Sequence, residues 1–209
     1  LIHKSLAGRT EDIRPCTRCD LCGNANTYGT SMHCAINPRM GLTPDPELLP
    51  LEQRKKVMII GGGPGGMMAA QTAVKRCHTV TLYEKADRLG GLLNDATVLP
   101  FKQYMRNYLA WDIRQTMKCG AEIKLNTPVD ETVVAQENHD AVIVATGSVY
   151  LQPPIPGIES TVPVHEADLG HVAGERVVVC GGGLYGCECA LDLAQSGKKV
   201  TAVDMTQAE

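Results

Sequence analysis

Cys16, Cys19, Cys22 and Cys34 stand in the pattern C-x2-C-x2-C-x11-C. Three thiols fall close together and a short loop can return the fourth to the same point. Thiolates are soft ligands that suit iron–sulfur clusters and zinc. Zinc sites usually pair their cysteines two and two, whereas three and one is the arrangement of many clusters. The spacing therefore favours a cluster and leaves zinc as the alternative. His33, next to Cys34, reads as a loop histidine rather than a ligand.

Two glycine strings follow. Gly61-x-Gly63-Pro64-Gly65-Gly66 fits a dinucleotide fingerprint: the first glycine for a tight turn, the second for approach of a pyrophosphate, the third for close helix packing. A helix opening there offers free N–H groups and a positive dipole end to phosphate. Glu84 lies where a carboxylate can accept from ribose hydroxyls. Gly181-x-Gly183-x-x-Gly186 with Asp204 repeats the arrangement. An acid there with no arginine beside it favours NAD over NADP. Asp87-Arg88-Leu89-Gly90-Gly91 and Ala145-Thr146-Gly147 are ordinary loops singly, but in this order they fit a flavin site.

Positioning these groups requires strand–loop–helix–strand units. Apolar runs predict strands over 57–60, 79–83, 121–125 and 141–144, with helices over 67–76 and 101–118. In the second helix Tyr104, Met105, Tyr108 and Trp111 are spaced to form one apolar side. A proline-rich crossing at 153–157 leads to a second unit: strand 176–180, helix 184–196 ending at Gly197, and strand 199–203. The expected fold class is α/β, a Rossmann-like three-layer FAD/NAD(P)-binding fold preceded by a small cysteine-rich segment. Its boundaries are read as 1–40 for the cluster segment, 41–56 for a linker, 57–160 for an FAD-binding domain and 161–209 for the start of an NAD(P)-binding domain.

The remaining cysteines, Cys77, Cys119, Cys180, Cys187 and Cys189, read as small buried residues. The helix after the first glycine loop carries no C-x4-C pair, which argues against a flavin–disulfide reductase. With 209 residues, 44% hydrophobic, and a net charge of −3, the chain can pack a core and lacks the basic footprint of a nucleic-acid partner. No apolar run is long enough for a bilayer. Nine cysteines without an export signal predict a reducing, cytoplasmic setting. The start at Leu1 and the stop soon after the strand closing at Asp204 predict a piece of a longer polypeptide.

The order of motifs resembles the C-terminal part of the NADH:flavin oxidoreductases related to 2,4-dienoyl-CoA reductase, 2-enoate reductase and trimethylamine dehydrogenase. The match runs through Asp12-Ile13-Arg14-Pro15-Cys16, the four cysteines and Cys34-Ala35-Ile36-Asn37-Pro38, then Gly61 to Gly66, Leu89-Gly90-Gly91-Leu92-Leu93, Pro100-Phe101-Lys102, Ala145-Thr146-Gly147, and Gly181 through Leu184, Tyr185 and Gly186 to Glu188. The resemblance implies a [4Fe–4S] cluster at the four cysteines and FAD held by the first glycine loop with Glu84, Lys85, Arg88, Gly91, Leu92 and 145–147. It implies NAD(H) at the second loop with Asp204. An FMN-bearing barrel preceding residue 1 would reduce an activated C=C bond, so no residue for that chemistry is named. Cys77 stands at a helix end often held by glycine, which predicts a strained left-handed residue. Competing readings are an electron-transfer module for a separate partner, as in the small subunit of glutamate synthase, an amine dehydrogenase relative, or a zinc-knuckle binding module. A homo-oligomer is left open.

Overall fold

The structure is a computed structural model that describes residues 1–23, 33–40 and 53–205. Most of the linker expected over 41–56 lies outside the described residues. The chain divides into two units, residues 1–93 with 104–148, and residues 94–103 with 149–209.

In the first unit a short helix α1 (Ile2–Leu6) precedes the cysteine-rich segment. The nucleotide fold follows as β1 (Lys56–Ile60), α2 (Pro64–Lys75) and β2 (Thr79–Tyr83). After the short α3 (Leu93–Ala96), whose residues 94–96 fall in the second unit, come α4 (Gln103–Lys118), β3 (Glu122–Lys124), α5 (Glu131–Gln136) and β4 (Ala141–Val144). The sheet order is β3-β2-β1-β4, and every pairing is parallel. Parallel neighbours need crossovers, which α2 and α4 supply. Val57, Met58 and Ile59 of β1 are buried, as the continuous apolar run predicts. Val57, Ile59, Val80 and Leu82 pack with Met67 and Ala70 of α2 to form the core.

In the second unit, α6 (Val164–Asp168) precedes β5 (Arg176–Cys180), α7 (Leu184–Gln195) and β6 (Lys199–Val203). β5 and β6 pair in parallel, and Val179, Cys189 and Leu193 anchor a smaller core with Ala167. Among the described residues, no helix is long and apolar enough to cross a membrane.

Four local expectations change. α2 begins at Pro64 rather than at 67, because proline has the φ and the missing N–H suited to the first helical position. Residues 100–102 form a 3-10 turn, and α4 starts at Gln103. Its inner side is Tyr108, Leu109 and Trp111 with the polar Asp112 and Thr116, while Tyr104 is 41% exposed. Of the five cysteines read as buried, only Cys189 is; Cys180 and Cys187 are exposed, and Cys77 and Cys119 are half-buried. Cys187 and Cys189 sit on different sides of α7, so only one can face the core.

Candidate cofactor sites

Gly61 leaves β1 with φ +110, a backbone open to glycine at little cost. A Cβ at Gly61 would lie 2.3 Å from the Ala145 carbonyl oxygen, so the loop and the turn after β4 are in direct contact. A Cβ at Gly66 would lie 1.8 Å from the Gly61 carbonyl oxygen, which is the close helix packing the third glycine permits. Gly90 N–H donates to Gly62 O at 2.9 Å, and a Cβ at Gly91 would come within 3.0 Å of Gly63 Cα. Three separate segments thus converge on the head of α2.

Gly63 caps α2 without a side-chain hydrogen bond, and nothing lies within 4 Å of where a Gly65 Cβ would sit. The first-turn N–H groups of a helix have no partner within it. This open, amide-lined end suits a pyrophosphate. Glu84, 7% exposed, accepts from Gly62 N–H at 2.6 Å through Oε2 and from Ala86 N–H at 2.8 Å through Oε1. The carboxylate therefore braces the loop and keeps spare lone pairs for a ribose. Lys85 and Arg88 are exposed, Leu92 is 39% exposed, and Gly147 has φ +77 with open space beside it.

The second unit repeats the geometry. Gly181 has φ +112, a Cβ at Gly186 would lie 2.0 Å from Gly181 O, and Gly182 N–H donates to Asp204 Oδ2. Gly183 caps α7, whose first turn carries the exposed Leu184 and the partly exposed Tyr185. Glu188, one turn further, pairs with Lys102. Burial, and then Tyr150, push the Tyr185 phenol upward. Tyr150 itself stacks on His165 with ring centroids 3.8 Å apart.

Cys16, Cys19, Cys22 and Cys34 all line one cavity of about 210 Å³. Arg18 and Asp20, on either side of Cys19, both have φ 56, a left-handed turn that winds the loop around the thiols. Arg18 N–H donates to Cys16 Sγ at 3.3 Å. A hydrogen bond from the Leu21 backbone holds the Cys19 thiol below its ordinary range. A loop whose amides point at sulfur favours thiolate, the form that ligates. Among the described residues, no three Cys, His, Asp or Glu side chains group closely enough to hold a single metal ion. The four cysteines that line the cavity are soft donors of the kind that zinc and iron–sulfur clusters use.

Helix α4 is the platform for this segment. Arg14 lies over Trp111 with Cζ 4.8 Å from the ring centroid, and Arg18 lies 4.1 Å from that of Tyr104. Gln115 Nε2 donates to Asp12 Oδ1 at 3.1 Å, and Arg114 Nη1 to Glu11 O at 3.0 Å. The exposure of Tyr104 is explained: its ring serves an arginine rather than the core.

Two groups of residues carried no assigned role in the sequence. One is Arg14, whose Nη1 donates to Ile36 O at 2.7 Å and Asn37 Oδ1 at 3.0 Å. The other is a buried network in which Gln71 Nε2 donates to Asp112 Oδ1 at 2.8 Å and Thr116 Oγ1 at 2.9 Å. The i,i+4 spacing of Asp112 and Thr116 within the apolar side of α4 was the available signal for it.

The chain is 38% identical over 214 residues to the NADH oxidase of Thermoanaerobacter brockii, covering 97% of this chain and 33% of that protein. It is 37% identical over 206 residues to the cinnamate reductase of Clostridium sporogenes, covering 97% of this chain and 31% of that protein. It superposes on a solved 2-naphthoyl-CoA reductase with a TM-score of 0.89 at 32% identity, over 99% of this chain and 32% of that one. The chain thus spans about one third of the length of the curated relatives it matches. Residues 55–208 match the sequence pattern of the pyridine nucleotide-disulphide oxidoreductases, so this α/β chain, with its two dinucleotide-type loops and no C-x4-C pair in α2, belongs to the pyridine nucleotide-disulphide oxidoreductase family.

Proposed function

We propose that the chain is the electron-transfer portion of an NADH-dependent flavin oxidoreductase. It would relay electrons from NADH through FAD and a [4Fe–4S] cluster to an FMN-bearing barrel domain in the parent polypeptide, for reduction of an activated C=C bond. The observation that carries this reading is the convergence of four thiols on one cavity, on a segment pinned to the unit that also holds the first glycine loop. A flavin would supply two-electron acceptance and a cluster one-electron passage. Residues 1–40 would hold the cluster through Cys16, Cys19, Cys22 and Cys34. Residues 57–160 would bind FAD, with the α2 amides on the pyrophosphate and Glu84 on the ribose. Residues from 161 onward would bind NAD(H), with Asp204 rejecting a 2′-phosphate. Similarity to cinnamate reductase and 2-naphthoyl-CoA reductase supports an unsaturated acid or thioester as the substrate class.

The test is iron, sulfide and flavin analysis of the anaerobically purified protein, with its visible spectrum before and after NADH. Iron and sulfide in equal amounts, with flavin absorption that bleaches on adding NADH, is the expected result. Zinc in place of iron would overturn the cluster assignment. A loaded protein that NADH does not bleach would overturn NADH as donor.

A further inference from the structure

We infer that Arg14 is a positioning residue that sets the reduction potential of the group held by the four cysteines, by fixing a permanent positive charge on the wall of their cavity. The inference rests on the cluster reading above.

Arg14 lines the cavity together with the four cysteines, two residues before the first of them. Its Nη1 reaches Ile36 O and Asn37 Oδ1, just past the fourth. One guanidinium therefore ties the two ends of the cysteine segment together. Its plane is held over the Trp111 ring, and Asn37 Oδ1 also accepts from Arg39 N–H at 3.4 Å. The flat guanidinium lies over the indole while its Nη1 donates to both acceptors; a lysine would bring the charge and could donate, but not the flat contact on the ring. The charge cannot be removed, since guanidinium does not deprotonate in proteins.

The surroundings show that this charge is felt. Arg14 draws down the carboxyl of Asp112, against the burial that raises it. Burial, followed by the positive charges of Arg14, Arg39 and Lys4, lowers the ammonium of Lys75. Like charges crowd together at low cost only beside a compensating anion. Asp20 is the carboxylate on the same cavity wall, and the four cysteines would add more negative charge once they ligate a cluster. Reduction adds one electron, and no atoms, to a centre that is already anionic. A fixed cation beside it stabilises the reduced form more than the oxidised form and raises the potential.

The test is a redox titration of the cluster's electron paramagnetic resonance signal in the full chain and in Arg14→Gln, Arg14→Met and Arg14→Lys. The two neutral variants are expected to lower the reduced-to-oxidised ratio at a given potential by roughly tenfold, which is about 59 mV for a one-electron couple. Arg14→Lys is expected to stay near the parent value while losing iron faster, because the flat contact with Trp111 is gone. Neutral variants that hold iron at the parent potential would overturn the inference. So would failure of all three variants to hold iron, which would leave Arg14 as a clamp only. Iron held by the lysine variant but by neither neutral one would support the need for charge. A parent chain that takes up no iron would sink the cluster reading itself, a result distinct from iron retained at an unmoved potential.

Discussion

Glu84 accepts the Gly62 N–H at 2.6 Å, and Asp204 accepts the Gly182 N–H in the same manner, each pair separated by 22 residues. The acid at the end of the second strand is therefore a brace for the glycine loop as well as a candidate ribose partner. In the first unit the brace is doubled, because Ala86 N–H is also satisfied by Glu84. Glu84→Ala strands both amides at a site that is 7% exposed. Losing hydrogen bonds to a charged, buried partner costs about 1.5–3 kcal/mol each at most, so a fall in Tm of several degrees is expected, together with weaker FAD retention. Thermal unfolding with and without added FAD measures both effects. An unchanged Tm in the FAD-free protein would refute the bracing role.

Adjacent glycines in the first loop separate packing from binding. Gly66→Ala drives a Cβ to 1.8 Å from the Gly61 carbonyl, a backbone atom that cannot swing aside, whereas Gly65→Ala meets nothing within 4 Å. Overpacking of this kind costs about 1–3 kcal/mol. Gly66→Ala should therefore lower Tm without any ligand present. Gly65→Ala should unfold like the parent and lose FAD affinity alone, because its methyl enters the space left for phosphate. Comparable destabilisation of the two variants would contradict this division.

Helices α2 and α7 end alike. Cys77 N–H donates to Val74 O and His78 N–H to Ala73 O; Gly197 N–H donates to Ala194 O and Lys198 N–H to Leu193 O. The left-handed residue is glycine in α7, with φ 93, and cysteine in α2, with φ 67. A side chain there costs about 1–2 kcal/mol, partly offset by glycine's greater freedom when unfolded. Cys77→Gly is expected to stabilise the protein by up to about 1 kcal/mol, read as an increase in the denaturant midpoint. A lower midpoint would show that the half-buried thiol contributes packing that outweighs the strain.

The glycine strings, the acids and the strands between them were legible because each obeys a local rule of spacing. The left-handed Cys77 was legible only through the family resemblance, in which glycine often holds that helix end. The fate of the cysteines outside the cluster motif was not, because a thiol's chemistry does not reveal which face of its element meets the core. Cys180 and Cys187 are exposed while Cys189 packs against Ala167, Val179 and Leu193. Nor was α4's role legible. Its aromatic spacing suggested a greasy stripe, but long-range partners decide the matter: Arg18 takes the Tyr104 ring, Arg14 takes Trp111, and Gln71 draws Asp112 inward.

That difference among the thiols can be measured. Burial, and then Asp168, push the Cys189 thiol up to about 12, far from thiolate at mildly alkaline pH. The thiolate is the reactive form. Iodoacetamide should modify Cys180 and Cys187 in the folded protein and spare Cys189 until denaturant is added, with peptide mass mapping as the readout. Early labelling of Cys189 would place it outside the small core.

Asp112 gives the fold a pH dependence with a defined sign. It is fully buried, and burial raises its carboxyl above the usual 3.8 despite the opposing pull of Gln71, Arg14 and Tyr108. A folded-state pKa above the unfolded one means that the fold favours the protonated acid. This contribution is complete below about pH 4 and is lost as pH rises through the folded-state value. Asp112→Asn is neutral throughout and can still accept from Gln71 Nε2. The variant should gain stability relative to the parent as pH is raised from acid toward neutral, when unfolding free energies are compared at each pH. Asp12, whose carboxyl is lowered by Gln115 and then Lys118, acts with the opposite sign in both proteins and cancels from the difference. Asp112→Ala should instead lose about 1–3 kcal/mol, because the Gln71 amide is left with an unmet bond. A parent–asparagine difference that stays flat with pH would show that the Asp112 carboxyl titrates alike in the folded and unfolded protein, and that burial does not raise it.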